Sequence, residues 1–484
     1  MIDLKTKIHD RYSIEFKMGF VARRKLPESD FSVYTWIFVP SSLDINKFSY
    51  SKSHFYRDVK SNIRLITPRF LLRDIAQQGS EPLSRLSAAM NAYASNPCLS
   101  SFREYEHQMK LFAAIIKSSL RDESSHILSR NKSSEIKDLS QQFARNTKTV
   151  FESFHRLRAI INAPTVKPEG YKVYAFTDEF ICDTMVRNCM KLLELFESGI
   201  PAPEEVLMLK ELIATINEYR RDKEMPFVKD ENREENKKYY FRQSMLKKYV
   251  EGILYLRADK KKDGVVAEQL LFSVSAGLAM IFATLVAWAF QRHFGNLTWP
   301  LFIALIISYM LKDRIKELMR YYFAHKVGSR FFDNKASIRY KDISLGWLKE
   351  GVDFISESKV PDRVMDERRQ GTAIEMEESM QDEHIMLYRK SVHINRKMLD
   401  EITVHRLDGV NDIMRLNIHS FLWDMDNPTV PSRVLDRNGR LSTVELEKVY
   451  YINIVMECSH DDTTDIKHFR IELDRDGIRE IKEI

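Results

Sequence analysis

Two apolar stretches interrupt an otherwise polar chain. Twenty-one residues from Leu270 to Phe290 carry no charge, and a second charge-free run of eighteen extends from Phe294 to Leu311. At about 1.5 Å per helical residue they reach roughly 31 and 27 Å, against a hydrocarbon core of about 30 Å. The pattern predicts two membrane-spanning helices, at about 269–291 and 295–311. Leu311, Ile315, Leu318 and Tyr322 keep a helical spacing beyond the second, which predicts a cytosolic extension.

Before the apolar pair, Ile14, Phe16, Met18 and Phe20 alternate with polar residues and glycine, the two-residue period of a half-buried strand. The run FSVYTWIFV is β-branched and aromatic on both faces, and Pro40 ends it. With Lys25 to Asp30 as the loop, residues 12–40 predict a hairpin; residues 41–80 show no regular pattern. From about Glu81 the period becomes helical. Phe102, Tyr105, Met109, Phe112, Ile116 and Leu120 share one face. Ile136, Leu139, Phe143, Thr147, Val150, Phe154, Leu157 and Ile161 form a seam of alternating threes and fours, read as the core face of an intramolecular bundle. Two further helices are expected near 178–198 and 203–222, separated by Pro201 and Pro203.

A charged run near 220–238 reads as a solvated linker. Met245, Tyr249, Ile253 and Leu256 then predict a juxtamembrane amphipathic helix. After the second apolar run, 329–383 reads as a connector. From His384 the period is two again, in sets around Met386–Ile394, Met414–Leu422, Ile452–Cys458 and Phe469–Leu473. Asp408-Gly409, Asn438-Gly439 and Asp476-Gly477 supply turn dipeptides. One-sided alternation points to an antiparallel sheet with one wet face.

The expected fold class is therefore an α+β integral membrane protein. It has an N-terminal strand pair plus helical bundle, a two-span transmembrane helical hairpin and a C-terminal antiparallel β domain. The boundaries are 1–80 for the N-terminal β-hairpin region, 81–225 for the cytosolic bundle, 226–264 for the linker and juxtamembrane helix, 265–328 for the transmembrane pair with its extension, 329–383 for the connector and 384–484 for the cytosolic β-rich domain.

Charge orients the pair. Lys247, Lys248, Arg257, Lys260, Lys261 and Lys262 precede the first run; Lys312, Arg314, Lys316, Arg320, Lys326 and Arg330 follow the second; the loop between carries only Arg292. The positive-inside rule puts both flanks and both termini in the cytoplasm, most simply at a bacterial inner membrane, with Trp288 and Trp299 in the outer aromatic belt. Ser275, Ala279, Ala283 and Ala287 form a strip of small side chains on the first span, and Ala304 and Ser308 a shorter one on the second. Such strips let helix backbones approach, either within the pair or between copies of the chain. Neither span contains Asp, Glu, Lys, Arg or His, which argues against a transporter or pump.

Composition adds little. A chain of 484 residues implies more than one domain. Its net charge of +6 is too mild to suggest a nucleic-acid partner. Cys98, Cys182, Cys189 and Cys458 are scattered, as free thiols in a reducing compartment would be. The opening MIDLKTKIHDRYSIEF has no apolar h-region, so no cleaved secretory signal is expected.

Few chemical motifs occur in the sequence. No glycine precedes lysine and no two glycines stand two apart, which removes P-loop and dinucleotide fingerprints; HExxH, GxSxG and CxxC are also absent. LDRNGRL and LDRDGIR echo one another but place glycine too early for a calcium loop. The most compact set of metal-capable residues is Cys458, His460, Asp461, Asp462, Asp465 and His468, in good hairpin-loop composition, and it is read as a solvated turn. Cys182 and Cys189 are read as core positions, and His107 and His155 as partly exposed helix residues. No catalytic residue is identified, and no cofactor or metal is expected. The expected function is a membrane-anchored cytosolic interaction or signalling module, with the lipid bilayer, protein partners on the cytosolic side and a homo-oligomer as partners. The alternatives are a membrane-tethered enzyme with a nonstandard site in or between the cytosolic domains, and an oligomeric pore.

Overall fold

A computed structural model describes residues 2–21, 27–197, 202–228, 232–295, 298–326, 332–370, 383–402, 409–435, 439–460 and 463–484. In chain order the elements begin with β1 (Ile2–Asp10), β2 (Ser13–Val21), β3 (Glu28–Pro40), α1 (Lys52–Asp58) and β4 (Val59–Leu65). Helices follow: α2 (Leu72–Ala76), α3 (Glu81–Ser95), α4 (Leu99–Leu128), α5 (Ser133–Arg156), α6 (Arg158–Ile161), α7 (Pro168–Glu197), α8 (Pro203–Asp222) and α9 (Arg233–Glu251). Then come β5 (Arg257–Lys262), α10 (Val265–Phe294), α11 (Trp299–Lys326), β6 (Asn334–Tyr340), β7 (Ile343–Ile355), α12 (Asp362–Arg369), β8 (Glu383–Asn395) and α13 (Arg396–Ile402). The chain closes with β9 (Gly409–Asn417), β10 (Thr429–Leu435), β11 (Leu441–Glu447), β12 (Tyr450–His460), β13 (Thr463–Asp474) and β14 (Gly477–Glu483). The protein is thus mixed α and β, with antiparallel sheets. It divides into a β unit, drawn from both ends of the chain and carrying α10 and α11, and a helical unit over Leu65–Tyr255.

In the β unit, eight strands form one sheet in the order β14-β13-β12-β3-β8-β7-β6-β5, and four form a second in the order β1-β2-β9-β4. β10 and β11 make a separate exposed ribbon. This corrects two expectations. The hairpin over 12–40 does not form: β2 pairs with β1 and β9, whereas β3 lies between β12 and β8 in the other sheet. The β3 run, apolar on both faces, is what a central strand requires. Nor do the N-terminal strands and the strands after 384 stand apart, because each sheet draws on both. The two sheets meet through aromatic contacts, with Phe16 edge-on to Phe469 at 5.7 Å and Phe20 stacked on Phe31 at 4.0 Å. The Asp476-Gly477 turn joins β13 to β14. Gly477 has φ +137°, and a Cβ there would stand 2.4 Å from the Arg11 carbonyl oxygen, so only glycine fits.

Other segments differ as well. The connector contains β6, β7 and α12. Alternation is weak there because Trp347, Lys349 and Gly351 break the apolar spacing of β7. The segment after α9 is strand β5, whose sequence RADKKK has no apolar residue larger than alanine to signal a sheet. Residues 41–80 supply α1, β4 and α2.

The helical unit follows the expected faces more closely. Ile136, Phe143, Thr147, Val150 and Phe154 of α5 are buried within the unit. Phe112 stacks on Phe154 at 5.6 Å, Phe154 on Tyr174 at 5.2 Å, and Tyr93 on Tyr105 at 5.3 Å. α7 begins ten residues earlier than the pattern suggested, because Pro168 is suited to a first helical turn. α9 buries Leu246 and Val250 rather than Met245, which is half exposed. Arg242 forks onto Glu179 at 2.6 and 2.7 Å and ties α9 to α7.

Candidate functional site

One helix among the described residues, over Glu268–His293, is long and apolar enough to cross a membrane. α11 is as long as a span but meets Lys312, Asp313 and Arg314 after thirteen charge-free residues from Trp299. The two helices pack against each other through small side chains. Ser275 and Ala279 of α10 and Ala304 and Ser308 of α11 are buried, while Leu270, Leu285, Trp288, Phe302 and Tyr309 are exposed. Ser308 Oγ lies 3.4 Å from the Ala283 carbonyl oxygen. The strip therefore serves contact within the pair.

The base of the pair is built into the eight-stranded sheet. β5 leads into α10, α11 leads toward β6, and β5 and β6 are antiparallel neighbours with Lys262 opposite Asn334. Below this base lies a buried polar network. Glu350 accepts from Lys260 at 2.6 Å, Asn334 at 3.2 Å and Tyr388 at 3.1 Å. Burial beside Glu350 and Asp412 holds the Tyr388 phenol well above its ordinary value, so it remains a donor. Deeper, Lys390 and Asp412 are 2 and 0% exposed and pair at 2.5 Å, with Ser61 donating to Asp412 at 3.1 Å. Both charges are matched, which makes their burial tolerable.

A cavity of about 700 Å³ lies at one end of the four-stranded sheet. Its wall includes Asp10, Tyr12, Arg57, Asp58, Lys60, Arg415, His419 and Trp423. Asp58 accepts from Tyr50 and Ser420, both at 2.8 Å, and from its neighbour Arg57 at 3.4 Å, and Asp10 accepts from the Tyr12 amide at 2.9 Å. Lys60 has no ion-pair partner among the described residues. Trp423 is 71% exposed and meets the edge of His419, which in turn meets Tyr12. A cation beside an open aromatic face suits an anionic or aromatic group.

The metal-capable cluster singled out in the sequence is not assembled. Cys458 and His460 point to one face of β12. His468 is paired with Val455, so the pleat sends it to the opposite face. Asp461 and Asp462 lie outside the described residues. Asp465 stands opposite Cys458 in register. Burial pushes the Cys458 thiol up to about 12. His460 is not a solvated turn residue: it is buried, with Nε2 2.9 Å from Ser29 Oγ. His468 Nε2 lies 3.1 Å from Asn453 Oδ1, and desolvation lowers its pKa to about 4.

The helical unit holds a constellation the sequence reading missed. His155, expected to be a simple helix residue, places Nε2 2.8 Å from Asp178 Oδ1 and Nδ1 2.7 Å from the Phe151 carbonyl oxygen. Tyr219 donates to Asp178 Oδ2 at 2.7 Å, and Cys182 Sγ lies 3.5 Å from Asp178 Oδ1. Burial, then Asp178, raises the Cys182 thiol well above its usual value. Cys189 is buried farther along α7, as expected of a core position, and His107 is half-buried on α4. Asp178 and Cys182 are four apart and so share a helix face, the one signal for this site in the sequence; that His155 faces them follows only from how α5 packs on α7. No family model, no curated protein and no solved structure matches the chain.

Proposed function

We propose that this is a two-pass, membrane-anchored interaction or signalling module with both water-facing units on the cytoplasmic side. The observation that carries the reading is the pairing of β5 with β6. Strands that are hydrogen-bonded neighbours lie on one side of a bilayer, so the chain between them crosses an even number of times. If α10 crosses, α11 is the segment that returns, although its charge-free part is only about 20 Å long at 1.5 Å per residue. A short span is accommodated by local thinning and by basic side chains that reach the headgroups, and Lys312, Arg314 and Lys316 stand where that is needed. The exposed large apolar side chains of both helices and the basic flanks support the same arrangement. Recognition is the role this leaves to the water-facing parts, with the cavity beside Lys60 and Trp423 as the seat for a charged partner.

The test uses the full chain in its membrane. Alkaline carbonate should leave it in the pellet. Protease added to inside-out vesicles should digest both water-facing units, and protease added to right-side-out vesicles should digest neither. Release by carbonate, or digestion of one unit from each side, would overturn the proposal.

A further inference from the structure

We propose that His155, Asp178 and Cys182 bind a divalent transition-metal ion, zinc by the character of the donors, inside the helical unit. Each residue offers one donor atom, and the three atoms lie within 4.8 Å of one another. The supporting contacts are those a metal centre requires. Nδ1 of His155 is engaged by the Phe151 carbonyl, which leaves Nε2 as the ligating nitrogen. Tyr219 engages Oδ2 of Asp178, which leaves Oδ1 facing both His155 and Cys182. Imidazole, carboxylate and thiolate together disfavour magnesium and calcium, which take oxygen, and favour zinc.

Asp178 and Cys182 are buried, and the Cys182 thiol gives up its proton as the ion binds. The 2.8 Å between Nε2 and Oδ1 is a hydrogen-bond distance and would open to about 3.3 Å around a tetrahedral zinc ion with bonds near 2.0 Å. That shift lies within side-chain movement. A cavity of about 170 Å³, walled by Tyr174, Glu179 and Arg242 among others, borders the site at Asp178.

The experiment is a cobalt titration of the full-length, detergent-solubilised protein after metal stripping. A thiolate-to-cobalt charge-transfer band in the near ultraviolet, saturating at one ion per chain, is expected. Zinc should displace the cobalt. Cys182→Ser should abolish the band, Cys189→Ser should retain it, and Tyr219→Phe should weaken binding by about 10- to 100-fold, as loss of a supporting hydrogen bond does. Should Cys182→Ser fail to fold, the wild-type titration decides alone: no charge-transfer band in folded protein overturns the proposal. A band that survives Cys182→Ser overturns it equally.

Discussion

The helix pair α10–α11 and the bundle of α4, α5 and α7 are made from helices of similar length, yet they are packed in opposite ways. The bundle turns Phe112, Phe154 and Tyr174 inward and, apart from the partnered acids Asp178, Glu179 and Asp183 of α7, leaves most of its charge outside. The pair turns Ser275, Ala279, Ala304 and Ser308 inward and leaves Leu, Ile, Trp and Phe outside. Water accounts for the first arrangement, since removing large apolar surface from it drives association. In the second, that drive is absent if the surroundings are lipid, and close backbone approach takes its place. Helix length therefore does not tell the two apart; which side chains face the neighbouring helix does.

The comparison breaks most visibly if the pair is removed. Excising residues 265–326 and joining Gly264 directly to Val327 should leave β5 and β6 as an ordinary hairpin closed by the residues that remain between Lys262 and Asn334. The protein is expected to move entirely from the membrane pellet to the soluble fraction, read by fractionation. Retention in the pellet would mean that another surface holds the membrane.

A matched pair of truncations comes next. Phe154→Ala should cost the helical unit about 3–5 kcal/mol, the usual effect of emptying an aromatic site in a close-packed core. Phe302→Ala, at a side chain 57% exposed on α11, should leave the stability of the pair in detergent within about 0.5 kcal/mol. Denaturant titrations of both variants check the contrast. In the small-residue seam, Ala279→Leu should cost about 1–3 kcal/mol, because the added volume forces the helices apart. Crosslinking between α10 and α11 should fall accordingly, and unchanged crosslinking would remove the seam from the account.

The smallest effect is a pH dependence in the β unit. His468 is held neutral, its pKa lowered from an ordinary 6.5 to about 4, first by desolvation and then by Arg368 and Arg470. The unfolded chain binds the proton more readily than the folded one. Stability should therefore be full above about pH 6.5, fall as pH drops from about 6.5 to 4, and level off below. The difference between wild type and His468→Gln, measured by urea midpoints across that range, isolates the effect. A difference independent of pH would show that the ring is solvated.

Much of this architecture was legible where one face of an element has one environment. The seam of α5, the small-residue strip of α10 and the alternation of β2, β12 and β13 all reflect a single buried side. What stayed hidden is long-range. Nothing in FSVYTWIFV says that its neighbours are strands some 350 and 420 residues later, since pairing partners are set by the whole sheet. RADKKK reads as a solvated flank because β5 is an edge strand whose exposed face takes charge. Cys458, His460 and His468 read as a solvated turn but are buried, because the hairpin-loop composition of DDTTD does not show how far the flanking strands extend. His155 and Asp178 went unseen because they stand twenty-three residues apart on two helices.

The account turns on the helix pair leaving and returning to one side of a bilayer. In a Cys98→Ser background, which removes the exposed native thiol, single cysteines at Lys261, Gln291 and Lys335 can be probed in intact cells with an impermeant thiol reagent. Labelling is expected at Gln291 alone, with Lys261 and Lys335 labelled only after the membrane is opened. Protection of Gln291, or labelling of Lys261 and Lys335 from opposite sides, would contradict the pairing of β5 with β6 as the base of a membrane hairpin.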